Sequence, residues 1–145
     1  MTVLIDSNIV IGFLKNDLPI VSKIDEYVSN KIPIFISSIS IYEVYYGIIA
    51  NLYLKGGKPE KVPELLAIYK KFILKCGVLN FTKEAAESAA DLYAKSQSKG
   101  KAIKEKDCQI AAIALTHGIS EVFTQDIKDF SKLNELTGLK HVNVQ

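Results

Sequence analysis

The chain has 145 residues, of which 48% are hydrophobic and 23% are charged, and its formal net charge is +2. This length and composition are typical of one compact globular domain and exclude a disordered segment. A charge so close to zero does not by itself indicate a nucleic-acid binder, and we expect a single domain over 1–145.

Short apolar runs alternate along the chain with segments of helical periodicity. The first run, Val-Leu-Ile, has the pattern of a buried strand and stops at Asp6. Thr82 precedes an Ala-rich helix, glycines close other helices, and 95–106 is a polar, lysine-rich loop. The predicted strands are 2–6, 32–37, 78–81, 121–124 and 141–144. The predicted helices are 8–14, 19–30, 38–54, 60–75, 82–97, 106–117 and 127–136.

This alternation of strands and helices predicts the fold class. Each crossover helix returns the chain to the same end of the sheet, so successive strands run parallel and helices cover both faces. The expected fold is therefore α/β, a three-layer α/β/α sandwich with a central, mainly parallel sheet.

The cysteines, the N-terminus and one apolar stretch bear on the cellular compartment of the protein. Cys76 and Cys108 lack metal or redox spacing, and the N-terminus does not resemble a secretory signal. The apolar stretch 32–54 is long enough for a membrane span, but it contains Glu43 and Asn51 and its halves follow different periods. We expect no disulfide framework, no membrane segment and a reducing cytoplasm.

Four acidic residues lie near the carboxyl ends of predicted strands. Asp6 ends the first strand, and Glu43 falls in the first turn of the helix after the second. Asp107 opens the helix that leads into strand 121–124, and Asp126 follows that strand. Because parallel strands share one carboxyl edge, we expect the four acids to meet where open α/β sheets bind their ligands.

Each acid also has a purely structural interpretation. Asp6 could cap the following helix, and Ser40 with Glu43 fits a capping box. Asp107 could complement a helix dipole, and Asp126 could form an Asx turn with the acid three residues later. Single motifs do not decide between these interpretations and a functional site.

The four acids together favour a metal site. Crowded carboxylates raise one another's pKa unless a cation holds them ionised. His117 and His141 fall at the far end of a helix and at the start of the last strand, which leaves only oxygen ligands. Such ligands suit Mg²⁺ or Mn²⁺ rather than zinc, and a helix N-terminus beside them favours a substrate phosphate.

Four segments in order resemble the PIN-domain ribonucleases, particularly the single-domain VapC toxins of VapBC toxin–antitoxin systems. They are LIDSNIVI (4–11), SSISIYEV (37–44), KDCQIAAIAL (106–115) and FTQDIKDF (123–130).

The resemblance assigns roles to six residues. Asp6, Glu43 and Asp107 correspond to the family's invariant metal-binding acids, and Asp126 corresponds to its more variable fourth. Thr124 matches the hydroxyl residue that orients these acids, and Asn8 matches the polar residue after the first aspartate. The chain departs from the family at Lys106, where small residues are common. The fourth position is Asp rather than the frequent Asn, which favours an active site.

The resemblance therefore implies a metal-dependent endoribonuclease that hydrolyses RNA phosphodiester bonds, with Mg²⁺ or Mn²⁺ as cofactor. It further implies the toxin of a toxin–antitoxin pair, a small antitoxin partner and a homodimer. An RNA-processing nuclease without an antitoxin and a non-catalytic RNA- or protein-binding module remain as alternatives. A receiver domain would need an acidic pair near its start, and an aspartate-nucleophile phosphatase would need an acid at Asn8.

Two further groups of residues have open interpretations. The lysines that precede Asp107 either form a solvated loop or contact RNA phosphates, and the candidates for phosphate contact are Lys101, Lys104 and Lys106. Three tyrosines, at 42, 45 and 46, could stack on bases, but helical spacing favours packing of most of them in the core or a dimer face.

Overall fold

The computed structural model describes residues 1–144, which form one sheet and seven α-helices. The strands are β1 (Val3–Ile5), β2 (Ile34–Ser37), β3 (Gly77–Leu79), β4 (Glu121–Phe123) and β5 (Lys140–Val142). The helices are α1 (Ser7–Leu14), α2 (Leu18–Ser29), α3 (Ser38–Tyr53), α4 (Val62–Ile73), α5 (Lys83–Ser98), α6 (Glu105–Thr116) and α7 (Ile127–Thr137). Every predicted element forms, although all five strands are shorter than predicted.

The sheet is parallel throughout, and its strand order is β3-β2-β1-β4-β5. The first strand of the sequence therefore occupies the centre, where Leu4 lies opposite Phe35 on one side and Val122 on the other. All three residues of β1 are fully buried, which explains its unbroken aliphatic run. The residue that follows this strand, Asp6, is placed at the middle of the carboxyl edge.

Two hydrophobic layers cover the sheet, as expected for a three-layer α/β/α sandwich. Because side chains alternate along a strand, Val3 and Ile5 face one layer and Leu4 faces the other. The first layer contains buried residues of α1 to α4, and the second contains those of α5, α6 and α7. The predicted fold class is confirmed.

Two predicted boundaries are wrong. The helix predicted over 60–75 begins as a 3-10 turn, Pro59–Lys61, and α4 starts only at Val62 with a proline in its first turn. The lysine-rich loop predicted over 95–106 is much shorter, because α5 continues to Ser98 and α6 already begins at Glu105. Lysine and glutamate are good helix formers, so the polar composition of this segment does not break either helix.

The start of α3 also differs from the predicted capping box. The N-cap is Ser37, whose hydroxyl accepts a hydrogen bond from the Ser40 backbone N–H at 3.0 Å and donates one to the Ser40 hydroxyl. Glu43 therefore lies in the second turn of α3 rather than in the first. This register leaves the Glu43 carboxylate free to face a neighbouring helix instead of its own helix terminus.

We expect Ser37→Ala to lower the free energy of unfolding by about 1 kcal/mol, since one N-terminal N–H of α3 loses its side-chain partner. Chemical denaturation checks this value. Thr82→Ala, which removes the corresponding cap of α5, is the matched control and should cost a similar amount. A Ser37→Ala protein as stable as the original would contradict the assigned cap.

Among residues 1–144, no helix has both the length and the apolar character that crossing a bilayer requires. Both cysteines are free, Cys108 within the second layer and Cys76 half-buried.

Candidate active site

Asp6 is held in place from three directions at the end of the central strand. Its Oδ1 accepts the Ser7 backbone N–H at 2.7 Å, so the side chain caps α1 as one of the two interpretations predicted. Its Oδ2 accepts the Thr124 hydroxyl at 2.8 Å and the Asn8 side-chain amide at 3.4 Å. Burial raises the pKa of Asp6, although the bonds from Thr124 and Ser7 act in the opposite direction. The Asp6 carboxylate therefore caps α1 and also lines a cleft at the carboxyl edge of the sheet.

Thr124 and Asn8 join the start of the chain to the segment after β4. The fully buried Thr124 hydroxyl donates to Asp6 and accepts the Asp126 backbone N–H at 2.9 Å. The Asn8 carbonyl oxygen accepts the Gln125 backbone N–H at 3.1 Å. These bonds fix the loop after β4 against the first helix, and that loop carries Asp126.

Glu43 reaches the same edge from α3. Its Oε2 lies 2.5 Å from Lys106 Nζ, which projects from the first turn of α6. The other oxygen, Oε1, is buried and has no hydrogen-bond partner in the described part of the chain. A buried carboxylate oxygen without a donor is costly, and a bound cation would satisfy it.

Asp107, in the first turn of α6, has a strongly raised pKa. Its side chain is buried, and burial together with the neighbouring carboxylates of Asp129 and Asp126 raises its pKa to about 9. Its Oδ2 is also buried and has no hydrogen-bond partner among the described residues. Without a cation, Asp107 therefore retains a proton at neutral pH.

Asp126 and Asp129 complete the acidic group from α7. Asp126 Oδ1 accepts the Asp129 backbone N–H at 3.1 Å and caps this helix, as the Asx interpretation predicted. Burial raises the pKa of Asp126, but contacts with Asp107, the Asp129 N–H and Lys104 outweigh it, so the net pKa is lowered. One carboxylate oxygen from each of Asp107, Asp126 and Asp129 lies within 4.8 Å of the other two.

Asp129 is a site residue that the sequence did not single out. It is buried, and its Oδ2 accepts the Lys104 backbone N–H at 3.0 Å, which holds the chain just before α6. In the sequence it appeared only as a neighbour in the Asx turn of Asp126. Its spacing from Asp126 could have identified it in the sequence. The third residue of a helix lies beside the N-cap, so Asp129 and Asp126 face the same edge of the sheet.

The structure brings the four predicted acids together in one cleft of about 140 Å³. Three residues predicted to support the site or contact RNA share its wall, and Thr124 lies directly behind Asp6. The lining residues are Asp6, Ser7, Asn8, Glu43, Lys104, Lys106, Asp107 and Asp126. Lys101 is not among them, because its ammonium group pairs with Glu135 on α7.

Two lysines pair with acids of the cleft. Lys106 pairs with Glu43, and Lys104 Nζ lies 3.2 Å from Asp126 Oδ2. The partner of Lys106 is thus not Asp107, its neighbour in sequence. On a helix, adjacent residues point in different directions, so Lys106 instead faces α3.

The donor set fits a divalent cation. The cleft offers carboxylate oxygens and no histidine or cysteine among its lining residues, a chemistry that suits hard cations. The unpartnered oxygens of Glu43 and Asp107 are the strongest indication, because both residues line the cleft and neither buried oxygen has a hydrogen-bond partner among the described residues. The two lysines pair with Glu43 and Asp126 and leave Asp6 and Asp107 without an ion-pair partner among residues 1–144.

Comparison with known proteins agrees with this arrangement. The model of the PIN domain family matches residues 3–136. The chain belongs to the PIN domain family. This confirms the resemblance drawn from the four segments, and the described PIN domain contains each of those segments in full.

Relatives of this PIN domain include named ribonucleases. It is 28% identical over 131 residues to Ribonuclease VapC2 of Haemophilus influenzae, with 90% of either chain covered. It is 32% identical over 111 residues to VapC ribonuclease Y4jK of Sinorhizobium fredii, with 76% of this chain and 74% of that protein covered.

Solved structures share its fold. A chain of the DNA-bound VapBC from Salmonella typhimurium has a TM-score of 0.78 at 24% identity, with coverage of 99% of this chain and 98% of that chain. A chain of VapBC2 from Rickettsia felis, bound to a promoter DNA fragment, has a TM-score of 0.79 at 24% identity, with both chains fully covered. The PIN domain fold therefore extends over the whole described chain.

Proposed function

We propose that this chain is a divalent-metal-dependent endoribonuclease and the toxin of a toxin–antitoxin pair. The observation that carries the proposal is one cleft in which four elements of a PIN domain bring four acids together, two of them with buried, unpartnered oxygens. The names of the relatives, which are VapC ribonucleases, support RNA as the substrate.

Each residue of the cleft has a proposed role. Asp6, Glu43, Asp107 and Asp126 hold the cation, and their shared position makes them the catalytic residues. Thr124 and Asn8 support them, since both bind Asp6 and fix the loop that carries Asp126. No histidine lines the cleft, so Ser7 and Thr124 lack the base that would make them nucleophiles.

The ion is Mg²⁺ or Mn²⁺ in this proposal. A bound divalent cation supplies Lewis acidity, which makes water a nucleophile near neutral pH and stabilises negative charge on the phosphodiester. The protein fixes the orientation of the Asp6 carboxylate, because Thr124, Ser7 and Asn8 donate hydrogen bonds to its two oxygens. Asp107 can bind the cation as a carboxylate only after it loses its proton, because burial raises its pKa.

The direct test is cleavage of structured and unstructured RNA by the purified protein. We expect products only when Mg²⁺ or Mn²⁺ is present, and we expect chelation by EDTA to stop the reaction. Gel analysis of end-labelled RNA then separates internal cleavage from trimming at the ends. Intact RNA with either ion, under conditions in which calorimetry shows that the ion binds, would exclude the nuclease and favour a binding module.

The proposed partners are a small antitoxin and a second copy of the chain. An antitoxin would insert a segment near the acidic cleft, where an arginine can pair with the carboxylates. The dimer is supported by the C-terminal end of α3, where Leu52, Tyr53 and Leu54 remain exposed. Sedimentation at micromolar concentration should show a dimer, and co-expression of a small protein encoded by an adjacent gene should suppress cleavage.

Lys104 and Lys106 are proposed to contact RNA phosphates once the cation neutralises the acids. Replacing both with glutamine should weaken RNA binding for every sequence and reduce the salt dependence by about 0.7 to 0.9 units of log-log slope for each phosphate that is no longer neutralised. Divalent-ion affinity should rise modestly, because neither lysine then competes for Glu43 or Asp126.

Lys101→Gln is the control for this experiment. Lys101 belongs to the same segment, but it pairs with Glu135 away from the cleft, so a phosphate contact is less well supported for Lys101 than for the other two lysines. A salt titration of RNA affinity should show no change for Lys101→Gln. An unchanged slope for the double variant would show that neither Lys104 nor Lys106 neutralises an RNA phosphate.

A further inference from the structure

A second cavity adjoins the acidic cleft, between the N-terminal halves of α3 and α6. Its volume is about 500 Å³, which is within the range of small-ligand sites. It shares Glu43, Lys104 and Lys106 with the cleft, so an occupant would touch the same residues that face the acids. Its remaining wall consists of Ile39, Tyr42, Glu105 and Gln109.

Tyr42 is unusual in being a large ring that the fold leaves in solvent. It is 71% exposed, and Tyr46, one helical turn further along α3, is 57% exposed. The two rings are nearly parallel, with an interplanar angle of 11° and centroids 6.3 Å apart. Of the two expected places for most of these tyrosines, the core is wrong, because all three rings are exposed and Tyr45 packs edge-on against Tyr69. Packing in a dimer face stays a prediction.

The chemistry of the cavity wall matches a nucleobase. The Tyr42 ring offers a flat aromatic face, and Ile39 offers an apolar contact beside it. The Gln109 amide can donate and accept hydrogen bonds, and the Glu105 carboxylate can accept them from an exocyclic amine. Lys104 and Lys106 stand where the cavity meets the cleft, which places positive charge at the position of a connecting phosphate.

A third cavity continues in the same direction. It has a volume of about 330 Å³, shares Glu105 and Gln109 with the second, and includes the half-buried rings of Phe81 and Tyr93. The cleft and the two cavities thus adjoin one another along a track across the N-terminal part of α6, with lining residues shared between successive sites. An extended strand fits such a track, whereas a paired base is stacked inside its duplex and cannot lie on a tyrosine ring.

We propose that the cavity between α3 and α6 binds one unpaired nucleobase of the RNA, next to the phosphodiester held at the acidic cleft, by stacking on Tyr42. This inference rests on the proposed ribonuclease function and deepens it, because it restricts the substrate to single-stranded RNA or to loops.

The test is a binding measurement that does not depend on cleavage. Fluorescence anisotropy follows a short, unstructured oligoribonucleotide with Ca²⁺ in place of Mg²⁺, so that a hard cation neutralises the acids, and gel analysis checks that the RNA stays intact during the measurement. A series of the same RNA carries one abasic nucleotide at each position in turn. We expect Tyr42→Ala to raise the Kd about tenfold, the lower part of the range for base–aromatic stacking. We expect Tyr42→Phe, which keeps the ring, to bind almost normally.

The abasic series identifies the base that Tyr42 contacts. At one position, removal of the base should raise the Kd of the original protein about tenfold. The same removal should hardly change the Kd of Tyr42→Ala, because this variant lacks the ring on which that base stacks. For a duplex of the same sequence, Tyr42→Ala should make no difference. Leu18→Ala is the control, because it removes an apolar side chain that is 70% exposed and lines neither the cleft nor the two cavities, and it should leave RNA affinity unchanged.

Several results would overturn the proposal. One is a Tyr42→Phe protein that binds RNA as weakly as Tyr42→Ala. Another is an abasic series in which removal of the base raises the Kd of Tyr42→Ala as much as that of the original protein at every position. Loss of affinity that accompanies conversion of a dimer to a monomer in sedimentation would assign this face to a second copy of the chain. Failure of the nuclease itself has a different signature, because the original protein would then leave RNA intact with Mg²⁺ whatever residue occupies position 42.

Discussion

Replacing Asp6 or Asp107 with asparagine should reduce RNA cleavage at least about 10³-fold without unfolding the protein. Each variant removes a negative charge from the proposed cation site, and metal catalysis contributes several kcal/mol of transition-state stabilisation. Asparagine has the shape of the acid, and its carbonyl oxygen can keep the bond that Asp6 Oδ1 accepts from the Ser7 N–H, while its amide group in the place of Oδ2 can donate to the Thr124 hydroxyl oxygen. The measurements are single-turnover cleavage with Mg²⁺ and isothermal titration of the ion.

Glu135→Gln is the matched control, because it removes an exposed carboxylate that pairs with Lys101 outside the cleft. It should cleave RNA and bind the ion normally. Circular dichroism should show native helix content for all three variants, so a loss of activity cannot be attributed to unfolding. Cleavage at the original rate in both Asp6→Asn and Asp107→Asn would refute the assignment of the cleft.

The metal-free protein should lose stability as pH rises from about 4 to about 9. The pKa of Asp107 is 3.8 in its ordinary state and about 9 in the fold, where burial and the neighbouring acids raise it. Between these values the folded protein holds a proton that the unfolded chain has released. The free energy of unfolding therefore falls with pH, by at most about 1.4 kcal/mol per pH unit.

Urea denaturation across this pH range, in the presence of EDTA, measures the slope. Asp107→Asn has no proton to lose at that position, so most of the slope should disappear and the variant should be more stable than the original protein at pH 8. Saturating Mg²⁺ should also restore stability at high pH, because the cation binds the ionised acids of the folded state. A metal-free protein with constant stability from pH 5 to pH 8 would contradict the buried proton.

Sequence periodicity was sufficient for the fold because each helix and strand has a strong local signal. The aliphatic run of β1 and the Ala-rich α6 are buried on nearly every side, so their composition reports their surroundings directly. The sequence does not fix the start of a helix where two nearby residues could both be its N-cap. Ser37 and Ser40 can both cap a helix, and only the three-dimensional path of the chain selects Ser37.

The sequence predicted that the four acids meet in one cleft, because they lie near the carboxyl ends of strands. It did not predict which lysines pair with them. The partners of Lys104 and Lys106 come from distant parts of the sequence, and which acid each lysine meets depends on how α3, α6 and α7 pack. Helical spacing also gave no indication that Tyr42 would be exposed, since a residue's burial depends on whether another element covers it.

The pairing of β1 with β4 also determines when the site can exist during translation. Asp6 leaves the ribosome early, whereas Thr124, which binds it, follows 118 residues later. Until β4 has been synthesised, the central strand lacks one of its two neighbours and Asp6 lacks the hydroxyl that orients it. A nascent chain therefore carries the first acid of the cleft for most of its synthesis without an assembled site, and the cleft can form only when synthesis is nearly complete.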